Sequence, residues 1–151
     1  TSGNGRVVAR THRGDIEIRT GNGDIEAQEV AGRVAAESGN GSVRILSAGN
    51  SVTARSGNGG VEVELAASSP GPVTASSGMG DVSVTLGRSF EGRIDGSSGM
   101  GSARVVGSGP SARVLTRGDR AFSVEVGSGG GASKLSTSMG SVRLTLAQPN
   151  G

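Results

Sequence analysis

"TGNGDIEAQEVAGRVAAESGNGSVRI", residues 20–45, says the same short phrase twice. A hydroxyl residue, a glycine, an asparagine and a second glycine come first, and an alternating apolar–polar run follows. The phrase recurs along the whole chain. SGNG stands at Ser2, Ser38 and Ser56, TGNG at Thr20, SGMG at Ser77 and Ser98, and TSMG at Thr137. TRGD at Thr116 is the weakest copy. Successive copies are 18, 18, 18, 21, 21, 18 and 21 residues apart. A fixed period with three-residue insertions is the mark of a stacked repeat whose variation sits in loops.

Each unit reads as two short strands. One follows the glycine turn, as in GVEVEL (60–65), DVSVTL (81–86) and SVRLTL (141–146); the other precedes the next turn, as in GRVAAE (32–37) and NSVTAR (50–55). Period-two alternation is the pattern of a half-buried strand. Two strands per 18 residues predict an all-β fold, a parallel β-solenoid of about eight coils of 18–21 residues. It forms a single domain over residues 1–146, with 147–151 as a tail or linker. The insertions of the fourth and fifth units fall between strands, at residues 66–70 and 87–91.

Stacking the units in sequence order sends one set of side chains inward from the first strand: Val7/Ala9, Ile25/Ala27, Val43/Ile45, Val61/Val63, Val82/Val84, Ala103/Val105, Phe122/Val124 and Val142/Leu144. The second strand sends in Ile16/Ile18, Val34/Ala36, Val52/Ala54, Val73/Ala75, Ile94/Gly96, Ala112/Val114 and Ser133/Leu135. These are mostly small aliphatic residues, suited to a thin two-layer interior. The scarcity of aromatics, only Phe90 and Phe122 with no Trp or Tyr, follows from that interior.

Outward positions alternate in sign between units: Glu26, Arg44, Glu62 on one ladder, and Arg19, Glu37, Arg55 on another. Asp15 is expected to meet Arg33, and Asp95 to meet Arg113. Opposite charges on neighbouring strands favour pairing, and like charges oppose it. The rival is an antiparallel meander, since Asn-Gly is a strong hairpin signal. It would pair Arg19 with Glu26 and Glu37 with Arg44, so charge alone does not choose. Identical turns favour the stacked arrangement.

The third residue of the turn is Asn4, Asn22, Asn40 and Asn58, then Met79, Met100 and Met139, the only methionines in the chain. Stacked Asn side chains can hydrogen-bond along a ladder. Met at that position predicts partial burial in the second half, or a Met-lined contact surface for a partner.

At this point the residues resemble a family. Repeats of the form S/T-G-x-G-[DS]-V/I-x-V/A every 18–21 residues, with GxVxA between them, are similar to the bacterial "putative adhesin" β-strand-repeat domains, a family of unknown function. The likeness runs from Thr1 to Leu146, best over 20–45; the glycine run Gly129–Gly131 departs from it. It implies a right-handed parallel β-helix-like fold in a longer cell-envelope or extracellular surface protein. It supplies no catalytic residues.

Composition narrows the chemistry. The 151 residues include 29 Gly and no Cys, which excludes disulfides and thiolate metal sites. The net charge of +2 is spread singly, without the basic face and stacking aromatics that nucleic-acid binding uses. No apolar run is long enough to span a membrane as a helix. His12 is the one histidine, so a Ser–His nucleophilic arrangement has no second candidate base. Carboxylates alternate with Arg, which reads as register rather than glycoside chemistry. GNGD (21–24) and GMGD (78–81) look like calcium β-roll phrases, but those repeat every nine residues. RGD occurs at Arg13–Asp15 and at Arg117, Gly118 and Asp119; the second copy lies in an expected exposed turn and is a candidate for integrin-type recognition.

The expectation is therefore a non-enzymatic structural or adhesive domain without catalytic, cofactor or metal residues. The alternative is a binding module for a protein or glycan partner. Its candidate contacts are Met79, Met100, Met139, Arg117, Gly118 and Asp119. The chain starts at Thr1 without Met or leader, which reads as a segment of a longer protein. With no capping helix in view, open strand edges at both ends point to caps from flanking segments or to end-to-end self-association.

Overall fold

The structure, a computed structural model, describes residues 2–65, 72–86, 92–106, 112–126 and 131–145. The predicted insertions at 66–70 and 87–91, Gly129 and Gly130, and the tail 147–151 lie outside these residues. The strands are β1 (Ser2–Asn4), β2 (Val7–His12), β3 (Ile16–Asn22), β4 (Ile25–Val30), β5 (Val34–Asn40), β6 (Val43–Ala48), β7 (Val52–Asn58), β8 (Val61–Leu65), β9 (Val73–Ser77), β10 (Val82–Thr85), β11 (Gly92–Ser98), β12 (Ala103–Val106), β13 (Ala112–Arg117), β14 (Ala121–Val126), β15 (Gly131–Thr137) and β16 (Val142–Thr145).

The chain is all-β and forms two mostly parallel sheets. One runs β1-β3-β5-β7-β9-β15-β11-β14-β13, and the other β12-β16-β10-β8-β6-β4-β2. Up to β12 the chain alternates between them, so each repeat places one strand in each sheet. Pairing follows the sequence period. Ile25 faces Val43, Val43 faces Val61, and Val61 faces Val82; in the other sheet Val34 faces Val52 and Val52 faces Val73. The flanks of Asn40 thus run in different sheets and do not fold back on each other. The core is a continuous aliphatic layer between the sheets. Ala27, Ile45, Val63, Val84 and Leu144 are fully buried, as are Ala54, Ala75 and Leu135. Two non-glycine residues one unit apart take positive φ, Thr11 (51°) and Glu29 (52°). Their side chains meet, Thr11 Oγ1 donating to Glu29 Oε2 at 3.1 Å.

Several expectations fail in the last third. The units do not stack in sequence order: β15 and β16 lie between the fifth and sixth units, β15 between β9 and β11 and β16 between β10 and β12. The described residues hold seven two-strand units rather than eight. The segment after Thr116 forms no unit of its own. Instead β13 and β14 make an antiparallel hairpin, and β14 pairs antiparallel with β11. Phe122 and Val124 do point inward, at 3% and 0% exposure, but from the sheet opposite to the one predicted. Val114 does not, at 47% exposure on the edge strand. Asp95 does not meet Arg113. It faces Lys134 on one side and Ser123 on the other, while Arg113 faces Glu125.

Side-chain volume explains the intercalation. Sequence-order stacking would set Gly96 directly on Ala75, leaving two small residues adjacent in the core row. In the structure Leu135 stands between Ala75 and Gly96, and Phe122 covers the other side of Gly96. Large beside small fills the layer at native density. Ser133 enters the neighbouring row, beside Ile94, as a buried hydroxyl and is satisfied, its Oγ accepting from Val73 N at 2.9 Å. The hairpin covers the edge of β11 and leaves β13 as the outer edge of that sheet.

Candidate functional site

The glycine turns form one long edge of the molecule, and their chemistry explains the repeated phrase. The leading Ser or Thr is buried and donates to the closing-glycine carbonyl of the neighbouring unit: Ser38 Oγ to Gly23 O (2.9 Å), Ser56 Oγ to Gly41 O (2.8 Å), Ser77 Oγ to Gly59 O (2.8 Å). The column continues in the intercalated order, Thr137 Oγ1 to Gly80 O and Ser98 Oγ to Gly140 O. A buried hydroxyl without such a partner would cost about 1–3 kcal/mol. The closing glycine is required twice over. Gly41 has φ 139°, and a Cβ there would overlap the Gly23 carbonyl.

Asn and Met mark two versions of the turn. In the Asn version the closing-glycine N–H donates to the Asn carbonyl of the next unit, as Gly23 N does to Asn40 O (2.7 Å). The side chains form the predicted ladder, each Nδ2 donating to the previous Oδ1: Asn22 to Asn4 (2.9 Å), Asn40 to Asn22 (2.7 Å), Asn58 to Asn40 (2.6 Å). In the Met version the closing N–H turns back to its own hydroxyl, Gly80 N to Ser77 Oγ and Gly101 N to Ser98 Oγ, both at 2.8 Å. The Met backbone N–H instead reaches the neighbouring turn: Met79 N to Gly57 O, Met139 N to Gly78 O (both 3.1 Å) and Met100 N to Ser138 O (2.9 Å). The three Met side chains are exposed, at 61%, 55% and 74% for Met79, Met139 and Met100. This corrects the expected partial burial: the turn's inward position belongs to the hydroxyl residue, and its third residue points to solvent.

The second RGD occupies the β13–β14 hairpin turn, with Gly118 N donating to Ala121 O at 2.8 Å. Gly118 and Asp119 are exposed. Asp119 O also accepts from Ala103 N (2.9 Å), tying the turn to the other sheet. The first RGD sits at the β2–β3 corner, where Asp15 Oδ1 accepts from Arg33 N at 2.9 Å. The predicted Asp15–Arg33 meeting thus runs through the backbone. The structure stacks the turns of the three methionines, and it ties the hairpin turn beside the last of them, Ser98 N donating to Arg120 O (2.7 Å) and Ala103 N to Asp119 O on either side of Met100.

A groove of about 440 Å³ opens on the outer face of the second sheet. Its carboxylates are held in the scaffold. Asp24 Oδ1 accepts from Ser42 N (2.9 Å) and Asp81 Oδ1 from Ser141 N (2.8 Å). Glu26, only 8% exposed, is bound by Arg6 and Gln28, and Glu62 pairs with Arg44 at 3.3 Å. The Glu26–Arg44–Glu62 ladder therefore keeps one of its two expected ion pairs. On the opposite sheet Arg19 pairs with Glu17 of its own strand at 2.8 Å, although Arg19, Glu37 and Arg55 are in the predicted register. Among the described residues no group of three or more His, Asp or Glu side chains could hold a metal ion. The Asp95 carboxyl lies below its ordinary pKa because Ser123 Oγ donates to it at 2.6 Å, with partial burial opposing and Arg93 assisting.

No family model and no curated protein matches the chain. Among solved structures it is similar to one described as a "putative cell adhesion protein" from Clostridium sporogenes ATCC 15579. The two are 14% identical with a TM-score of 0.47, over 88% of this chain and 55% of that one. The chain thus spans about half the length of that neighbour.

Proposed function

We propose that this chain is a non-enzymatic structural or adhesive repeat domain of a bacterial cell-envelope or surface protein. Its two sheets are the walls of a parallel β-solenoid, stiffened by the turn column along one edge. The observation that carries this reading is the residue-by-residue parallel register of both sheets outside the β13–β14 hairpin. It sets each outward side chain at a fixed strand interval, about 4.8 Å, over a buried aliphatic interior. Such a body presents ladders of side chains without needing a reactive cleft. The groove carboxylates support the reading, because each is engaged with a backbone N–H or a cation. The β13–β14 hairpin gives one end an antiparallel edge, so end-to-end self-association would join unlike edges.

The test is adhesion itself. Beads coated with the domain are expected to adhere to immobilised host or bacterial surface material, and soluble domain should compete. Beads that bind no better than albumin-coated controls across glycan, matrix-protein and cell-wall arrays would refute the adhesive reading. Light scattering addresses assembly: a mass independent of concentration excludes self-stacking. A second reading, integrin-type recognition through Arg117–Asp119, is favoured by the exposed hairpin position of Gly118 and Asp119. Attachment of integrin-bearing cells would then be abolished by Asp119→Glu, and unchanged attachment ends that reading.

A further inference from the structure

All three methionines of the chain occupy the same turn position, and the intercalation makes them neighbours. In sequence order the TRGD turn would separate Met100 from Met139. In the structure that segment is the hairpin instead, and the column reads Met79, Met139, Met100 without interruption. Met139 N donates to Gly78 O and Met100 N to Ser138 O, so the three turns are stacked at consecutive strand intervals of about 4.8 Å. Glycines 78, 80, 99, 101 and 140 flank them, so no bulky side chain of the turn itself crowds the thioethers.

Burial does not account for these residues, since each is more than half exposed. Their shared chemistry is the thioether. Taking the Zn–S length of about 2.3 Å as a guide, three sulfurs around one ion stand about 4 Å apart. Met reaches that spacing from stacked positions through its three rotatable bonds. Thioether ligands select soft ions such as Cu(I), while hard and borderline divalent ions prefer carboxylate or imidazole. No such cluster of hard donors exists among the described residues.

We propose that Met79, Met139 and Met100 form a three-thioether site for a soft monovalent cation, Cu(I) or its redox-inert surrogate Ag(I). Met139 is the central ligand, because it alone adjoins both others. The site is independent of the adhesive reading and does not need a protein partner.

The experiment titrates silver nitrate into the intact chain in chloride-free buffer. Calorimetry is combined with spectra of chain labelled at the Met ε-methyl carbons. One equivalent is expected to saturate binding, with all three methyl signals shifting together. Met139→Leu keeps an apolar side chain of similar size at an exposed position, and should leave the thermal melt unchanged. It should weaken Ag(I) binding by more than about tenfold, a loss of over about 1.4 kcal/mol. Met79→Leu should weaken it less and leave the other two methyls responsive. Three results would each overturn the site: no saturable binding, affinity unchanged by Met139→Leu, or binding that follows His12→Asn while the methyl signals stay still.

Discussion

Gly96 offers the sharpest test of the observed packing. It is a buried strand residue without positive φ, so its backbone conformation is open to alanine. Gly→Ala at an ordinary strand position would stabilise by roughly 0.5–1 kcal/mol. Here an ideal Cβ would overlap Cζ and Cε1 of Phe122 and stand 2.9 Å from Cε2. The ring is 3% exposed and has little room to withdraw. Overpacking of this kind costs about 1–3 kcal/mol, so Gly96→Ala should be net destabilising by about 0.5–2 kcal/mol. Replacing the ring removes the clash. In a Phe122→Leu background Gly96→Ala should become neutral or slightly stabilising, with a coupling of about 1–3 kcal/mol across the cycle. Urea unfolding of the four proteins, compared by midpoint at constant slope, measures this. If Gly96→Ala stabilises the parent chain, Phe122 does not cover Gly96 and the docked hairpin is wrong.

Three further outcomes follow from the same packing. The stacking order can be trapped covalently in this cysteine-free chain: the pair Thr74→Cys/Lys134→Cys sits on adjacent strands and should oxidise readily, whereas Thr74→Cys/Asp95→Cys lies two strands apart, about 9.6 Å, beyond disulfide reach. Mass spectrometry showing the second crosslink instead of the first would restore sequence-order stacking. Gly41→Ala combines a positive-φ penalty with a backbone overlap against Gly23, and should cost more than about 2 kcal/mol in urea unfolding, while Ser42→Ala beside it should cost under about 0.5. For Asp95 the folded carboxyl is depressed, so its contribution to stability is present above its ordinary value of 3.8 and fades as pH falls below that through the folded value. Ser123→Ala should raise the Asp95 titration midpoint toward 3.8 and lose stability relative to the parent only above that pH, as followed by carboxyl carbon shifts and acid unfolding. An unmoved midpoint would remove Ser123 as the cause.

Much of this protein was legible as text because its repeat is local. The alternation of Val34, Ala36, Val52 and Ala54 states which faces are buried, and the 18-residue spacing states which residues lie over one another. The Asn ladder was readable for the same reason. The turn was half readable. Its glycines and hydroxyl residue recur because each fits against the backbone of the next unit, but whether Met faces in or out depends on which turn residue takes the inward place. Of the six candidate contacts, the methionines stand on stacked turns and Arg117–Asp119 on a hairpin whose turn is tied beside the Met100 turn, a neighbourhood the sequence order does not state.

What the chain alone decided is the period, the parallel pairing of the first five units and an interior of small aliphatic residues, since these depend only on neighbours one repeat apart. Tertiary structure decided the order of the last units and the hairpin. Those choices turn on how volumes sum across non-consecutive strands: Leu135 between Ala75 and Gly96, and Phe122 over Gly96, fill a row that sequence order would leave hollow. The uninterrupted methionine column is a product of that same packing, and no reading of consecutive repeats contains it.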